Sequence, residues 1–176
     1  AATVIKTNLL RIEGLTPVHC VSTNGGNAPP YTDWAGAART LADALDEAEV
    51  FDTVLVSNGT YGVPFLGLTC NGLTLASVNG PEVTAISGGG AENVLRAAAV
   101  REEPTLISGF TLTNGYASGD AGGAWITRNV TLSNCVVSGC RADDDAGGIL
   151  LDSGGLVTHC DVLGNTAGGA GGGIKI

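Results

Sequence analysis

The chain has no methionine, and its aromatic residues stop at two tryptophans, three tyrosines and three phenylalanines. An interior without such bulky groups must be filled by small and β-branched side chains, which suits a narrow core about one or two side chains wide. Basic residues are also few. Eight Lys and Arg against 17 Asp and Glu give a net charge of −9, a field that repels phosphate backbones and anionic lipid surfaces, so nucleic acid is not an expected partner. Charged residues make up only 14%, but 44% hydrophobic residues and a mean hydropathy of +0.26 separate the chain from disordered, low-complexity sequence. No apolar run approaches the roughly 20 residues that cross a bilayer, and membrane insertion by this chain is not expected. No basic-then-apolar leader opens it. The start, Ala1-Ala2-Thr3, fits signal-peptidase cleavage, since small residues flank such sites, and equally an arbitrary boundary. Cys-x-x-Cys pairs are absent among the five cysteines, Cys20, Cys70, Cys135, Cys140 and Cys160. That number is high for a reducing compartment and low for a disulfide-dense miniprotein.

What the chain has is a repeat. The pair Gly122-Gly123 returns as Gly147-Gly148 and Gly172-Gly173, an interval of 25 residues. The positions between return with it: Ile107, Leu132 and Val157 share one register, Phe110, Cys135 and Cys160 a second, Leu112, Val137 and Val162 a third. Apolar residues at two-residue spacing, then a polar turn and a glycine pair, are what one coil of a β-solenoid requires. Alternate side chains of short strands point inside, and glycine stands where a Cβ does not fit.

The rest of the chain organises around this repeat. Residues 1–17 carry apolar positions, Val4, Ile5, Leu9 and Leu10 among them, without the template, and read as an arm or first strand. Residues 17–22 read as a strand, and Asn24 to Pro30 as a loop. A helix is predicted over about 33–48, N-capped by Asp33, with Trp34, Ala38, Leu41, Leu45 and Ala48 on one face. Placed before the first regular coil, it would plug the hydrophobic end of a solenoid. Irregular coils follow over about 52–104, with strands predicted at 53–56, 63–68, 73–76, 83–86 and 94–97 and turns at Asn58-Gly59, Asn71-Gly72 and Asn79-Gly80. Regular coils occupy 105–176, in which Asn114 and Asn165 sit where a side-chain amide could bond free turn backbone.

The segment Cys20 to Trp34, the helix, and Asp52-Thr53-Val54-Leu55-Val56-Ser57-Asn58-Gly59-Thr60-Tyr61 resemble the opening of secreted bacterial right-handed parallel β-helix proteins. The later units, such as Asn134-Cys135-Val136-Val137 followed by Ala146-Gly147-Gly148-Ile149, resemble the Gly-Gly-x-Ile repeats of surface-displayed β-helices, including the chlamydial polymorphic outer-membrane proteins. The resemblance spans 20–176. It implies an all-β, right-handed parallel β-helix with an N-terminal capping α-helix and a secreted or cell-surface location. It leaves activity open, because β-helices include pectin-degrading enzymes, adhesins and phage spikes.

Candidate chemistry is thin. Asp143-Asp144-Asp145 with Asp120 could serve as acid and base on a polysaccharide or as a weak calcium site, or form a solvated acidic turn; Asp120 and Asp145 stack at one period, but the next coil has Ala170 there. Arg128 and Arg141 lie in no matching lyase motif, and the repeat coils offer only Tyr116 and Trp125 as aromatic platforms. The dipeptides His19-Cys20 and His159-Cys160 raise zinc, yet they belong to distant parts of the repeat. Cys135 and Cys160, one period apart, could form a disulfide or remain small buried hydrophobes. Gly168 to Gly173 lacks the aspartate of calcium-binding nonapeptides and precedes no P-loop lysine. Asn58-Gly59-Thr60 and Asn129-Val130-Thr131 satisfy the glycosylation sequon.

No cofactor is implied. The expected function is a non-enzymatic extracellular structural or adhesive module. Its assembly edge would comprise Gly172, Gly173, Ile174, Lys175 and Ile176 together with the arm residues Val4, Ile5, Leu9 and Leu10. Expected partners are other copies end to end, or a surface polysaccharide; a carbohydrate-active enzyme or sugar-binding fragment is the alternative.

Overall fold

A computed structural model describes residues 16–69, 72–98 and 102–176; the arm positions Val4, Ile5, Leu9 and Leu10 lie outside them. All strand pairings among the described residues are parallel, and the strands stack into a β-solenoid of about five turns. The first face carries Val18–Val21, Thr53–Val56, Thr74–Ser77, Thr105–Ser108, Val130–Ser133 and Leu156–Thr158 in that order. A second face stacks Gly59–Gly62, Thr84–Ser87, Thr111–Thr113, Val136–Ser138 and Asp161–Leu163. The third stacks Leu66–Leu68, Leu95–Ala97, Ala124–Ile126, Ile149–Leu151 and Ile174–Lys175. Between the second and third, the regular coils add a short face of Tyr116–Ala117, Arg141–Ala142 and Thr166–Ala167.

Strand alternation sends every second residue inward, and stacking in register turns these residues into columns. Val54, Leu75, Ile107, Leu132 and Val157 form one column on the first face. Tyr61, Ile86, Leu112, Val137 and Val162 form its counterpart on the second. Val54 and Leu75 are neighbours across 21 residues and Leu75 and Ile107 across 32, whereas the later steps are 25. The irregular coils therefore obey the same stacking, and their extra or missing residues fall in the corners.

Three corners of each regular coil are left-handed at a fixed register position. Gly109, Asn134 and His159 have φ of 84°, 49° and 52°; Asn114, Gly139 and Gly164 have 54°, 64° and 60°; Ala121, Ala146 and Gly171 have 64°, 57° and 69°. Glycine and asparagine take this conformation readily, alanine less so. Ala121 and Ala146 are held in it by axial hydrogen bonds, their N–H groups donating to Asp145 and Ala170 carbonyls. The glycine pair that defines the repeat has a different reason. A Cβ on Gly122 would lie 2.3 Å from the Arg141 carbonyl oxygen and 2.6 Å from that of Gly147. Here it is the next coil's backbone, not the dihedral, that excludes a side chain.

The helix α1 is shorter than the sequence predicts, Leu41–Glu47 rather than 33–48, and its N-cap is Thr40, whose hydroxyl accepts the Asp43 N–H at 3.1 Å. The reason lies in competing backbone bonds. Gly26 and Ala28 N–H donate to the Ala35 and Gly36 carbonyls, and Ala38 exchanges bonds with Cys20 and Ser22, so 35–38 is tied to the first strand and its loop. Asp33 accepts the Gly36 N–H at 2.7 Å as a turn cap, and Trp34 is exposed instead of packed. Leu41 and Ala44 are buried at the N-terminal end of the core, with Leu45 and Ala48 packed beside them. This is consistent with the expected cap.

Under the cap, His19 occupies the inward position of the first strand and is almost fully buried. Its Nδ1 meets the Pro30 carbonyl at 2.8 Å and its Nε2 the Asp52 carboxylate at 3.2 Å. Asp52 in turn accepts the Glu49 N–H at 2.8 Å. A buried polar pair of this kind holds its geometry because neither member has water to fall back on.

Candidate functional site

The acidic turn is a structural ladder. Asp120 Oδ1 accepts the Asp145 N–H at 2.9 Å, and Asp145 Oδ1 accepts the Ala170 N–H in the coil above, so each aspartate bonds the same position of the following coil. Lys175 Nζ closes on Asp145 Oδ2 as an ion pair. The lysine, then the Ala170 N–H, hold the Asp145 carboxyl below its usual range, and the Lys175 ammonium is correspondingly raised. Asp143 is engaged elsewhere, accepting from the Tyr116 hydroxyl at 2.5 Å and from Arg141 Nη2 at 2.8 Å. Tyr116 and Arg141 hold the Asp143 carboxyl below its usual pKa, and the carboxylate pushes the pKa of the Tyr116 hydroxyl up. Asp144 is exposed. Three of the four carboxylates suggested for calcium are thus drawn to separate partners, and among the described residues no group of three or more His, Cys, Asp or Glu is placed to hold a metal.

The repeated His-Cys dipeptides do not meet either. His19 lies in the first strand of the first face, while His159 follows the sixth and is exposed, its Nδ1 2.8 Å from Thr158 Oγ1. Five strand spacings separate them, about 24 Å. Arg128 is exposed, and Arg141 leans on the Tyr116 ring at 5.7 Å. A contact that sequence reading misses is Arg96, whose guanidinium lies 4.2 Å from the Trp125 ring centre on the outer side of the third face. Arg96 belongs to an irregular coil, so no period links it to Trp125. Because the guanidinium covers one face of that indole, Trp125 is not an open stacking platform. Asn165 behaves as its position suggests, accepting the Cys140 N–H at 2.9 Å and donating to the Val137 carbonyl at 2.8 Å.

The described cysteines, Cys20, Cys135, Cys140 and Cys160, stand as free thiols. Cys20, Cys135 and Cys140 are buried, and Cys160 is partly exposed. Cys135 and Cys160 adjoin residues paired in register, Val136 with Asp161, and Cys160 packs against the core cluster that holds Cys135.

The two ends of the stack differ. At the N-terminal end α1 covers the core. At the other, Leu156–Thr158, Asp161–Leu163, Thr166–Ala167 and Ile174–Lys175 are the outer members of their sheets among the described residues. Leu132 and Val137 are 0% exposed, while Val157 and Val162, one coil later at the same positions, are only half-buried. Leu163 is 58% exposed and Ile176 92%. The Gly172 and Gly173 carbonyls accept axial bonds from the Gly148 and Ile149 N–H groups of the coil below. Among the described residues this coil is a parallel strand edge whose inward side chains are only partly covered.

In comparison with known proteins, no family model, no curated protein and no solved structure matches the chain.

Proposed function

We propose that the protein is a non-enzymatic extracellular structural or adhesive module, of the type seen in secreted bacterial β-helix repeat proteins, and that its last coil joins further copies end to end. The observation that carries the reading is the half-exposed Val157 and Val162 above the fully buried Leu132 and Val137. Pairing of Leu156–Thr158 and Asp161–Leu163 with another chain would complete both the backbone ladder and the core. The carbohydrate-active alternative gains little from the acidic turn, since Asp143 and Asp145 are already paired with cations and Asp120 with backbone.

Because α1 covers the first coil, a second copy meets this edge with its own last coil or with residues 1–17. The first arrangement is isologous and closes at a dimer, and the second is heterologous and grows into filaments. Light scattering with negative-stain imaging across a concentration series should reveal dimers or filaments at the higher concentrations. A monomer that stays compact throughout would refute the proposal. Removing residues 1–15 tells the two modes apart, since it should abolish filaments and spare the tail-to-tail dimer.

A further inference from the structure

The cysteine column at the same end of the stack has chemistry of its own. Phe110, Cys135 and Cys160 occupy one register position in three successive coils, with Val136 paired to Asp161 immediately beyond. In-register parallel strands are about 4.8 Å apart, inside the roughly 4.4–6.8 Å between Cα atoms that a disulfide spans. The backbone already brings the two residues together, since the Asp161 N–H donates to the Cys135 carbonyl at 2.9 Å and Cys160 packs against the core cluster that holds Cys135. The two thiols differ in environment. Cys135 is buried, with the Phe110 N–H donating to its sulfur at 3.5 Å, whereas Cys160 lies in the last coil and is partly exposed. Cys140 supplies the contrast, because its counterpart one coil later is Asn165, so the next coil offers it no thiol.

We propose that Cys160 and Cys135 form a thiol–disulfide modification site, with Cys160 as the attacking thiol and Cys135 as the resolving one, oxidised by low-molecular-weight disulfides. The Cys160 thiolate attacks one sulfur of the small disulfide; a new S–S bond forms, the old one breaks, and a small thiolate leaves and takes up a proton. Cys135 then gives up its proton to solvent base, attacks the Cys160 sulfur and expels the second small thiolate. In balance, the protein loses two hydrogens and one small disulfide becomes two small thiols. The environment favours this order of events. The adjacent Cys135 thiol draws Cys160 down to about 7 against burial and, more weakly, Asp161, while the Cys160 partner and burial push Cys135 far up. The product would staple the last coil to the one below it, tightening the edge that solvent reaches. The inference does not rest on end-to-end assembly and is tested on dilute chain, where Cys160 is uncovered.

The experiment treats the reduced full chain with excess oxidised glutathione, then maps disulfides by peptide mass spectrometry, alongside Cys160→Ser and Cys140→Ser. The expected product is a Cys135–Cys160 linked peptide that Cys140→Ser retains and Cys160→Ser loses. Amide exchange in 156–163 should slow at least about tenfold on oxidation. On the unmodified reduced chain, Cys160 should alkylate with iodoacetamide at least about tenfold faster than Cys135 or Cys140, with a midpoint near pH 7. This last reading needs no variant to fold. A glutathione adduct that persists on Cys160, a link to any other cysteine, or equal alkylation of the three thiols would each overturn the proposal.

Discussion

Replacing Gly122 by alanine should destabilise the protein by about 3 kcal/mol or more, at the upper end of what overpacking costs. The added Cβ would meet the Arg141 carbonyl oxygen at 2.3 Å, the Arg141 carbonyl carbon at 2.5 Å and the Gly147 carbonyl oxygen at 2.6 Å. All three are backbone atoms, so no rotamer change relieves the clash. Moving the coils apart is no remedy, since Gly122 N–H donates to Ala146 and Gly123 N–H to Gly148 at 3.0 Å, and the strands on every face share that spacing. The control is Gly119→Ala, where nothing lies within 4 Å of the new carbon; its effect should stay within about 0.5 kcal/mol. Urea unfolding of the two variants checks the difference, and equal midpoints would mean that the coils do not stack at the described distance.

Phe110→Ala should cost about 3–5 kcal/mol, the usual range for removing a buried aromatic ring. Phe110 heads the largest fully buried side chains. In a solenoid the loss is hard to recover, because every neighbour is fixed by backbone bonds to the coils above and below, and the cavity cannot collapse along the axis. Leu106→Ala removes a side chain of similar kind that points outward and is 37% exposed, so it should cost no more than about 1 kcal/mol. Chemical denaturation monitored by far-UV circular dichroism separates the two, and comparable losses would place Phe110 outside the core.

The regular coils were legible because a structural period of 25 is written directly into them: Ile107, Leu132 and Val157 stack as their spacing implies. Where coil length varies, the period is lost and only alternation remains, yet most of those strands were still readable. The exception is Gly59–Gly62. Asn58-Gly59 reads as a turn, and the strand exists only because Thr84–Ser87 pairs with it. The predicted run from Val63 begins instead at Leu66, since Pro64 has no N–H to donate and 63–65 makes the corner. The helix was overextended for a similar reason: 33–38 has helical spacing, but the backbone groups of 35–38 are taken by the first strand and its loop. Tertiary pairing outweighs local pattern in each case.

The chemistry was less legible than the fold. Asp120 and Asp145 stack as their spacing suggests, but what decides their role is the Ala170 N–H and Lys175, a residue 30 positions along the chain from Asp145. The left-handed corners at Ala121 and Ala146 carry no residue signal, as alanine is an ordinary strand or helix residue and is held there by the axial bonds.

The claim that the last coil is the working surface is tested most directly by amide hydrogen exchange at low and high protein concentration. The account predicts that exchange in Leu156–Thr158 and Asp161–Leu163 slows at least about tenfold as concentration rises, while Thr111–Thr113, already paired on both sides, does not change. Edge strands whose exchange is the same at every concentration would contradict it.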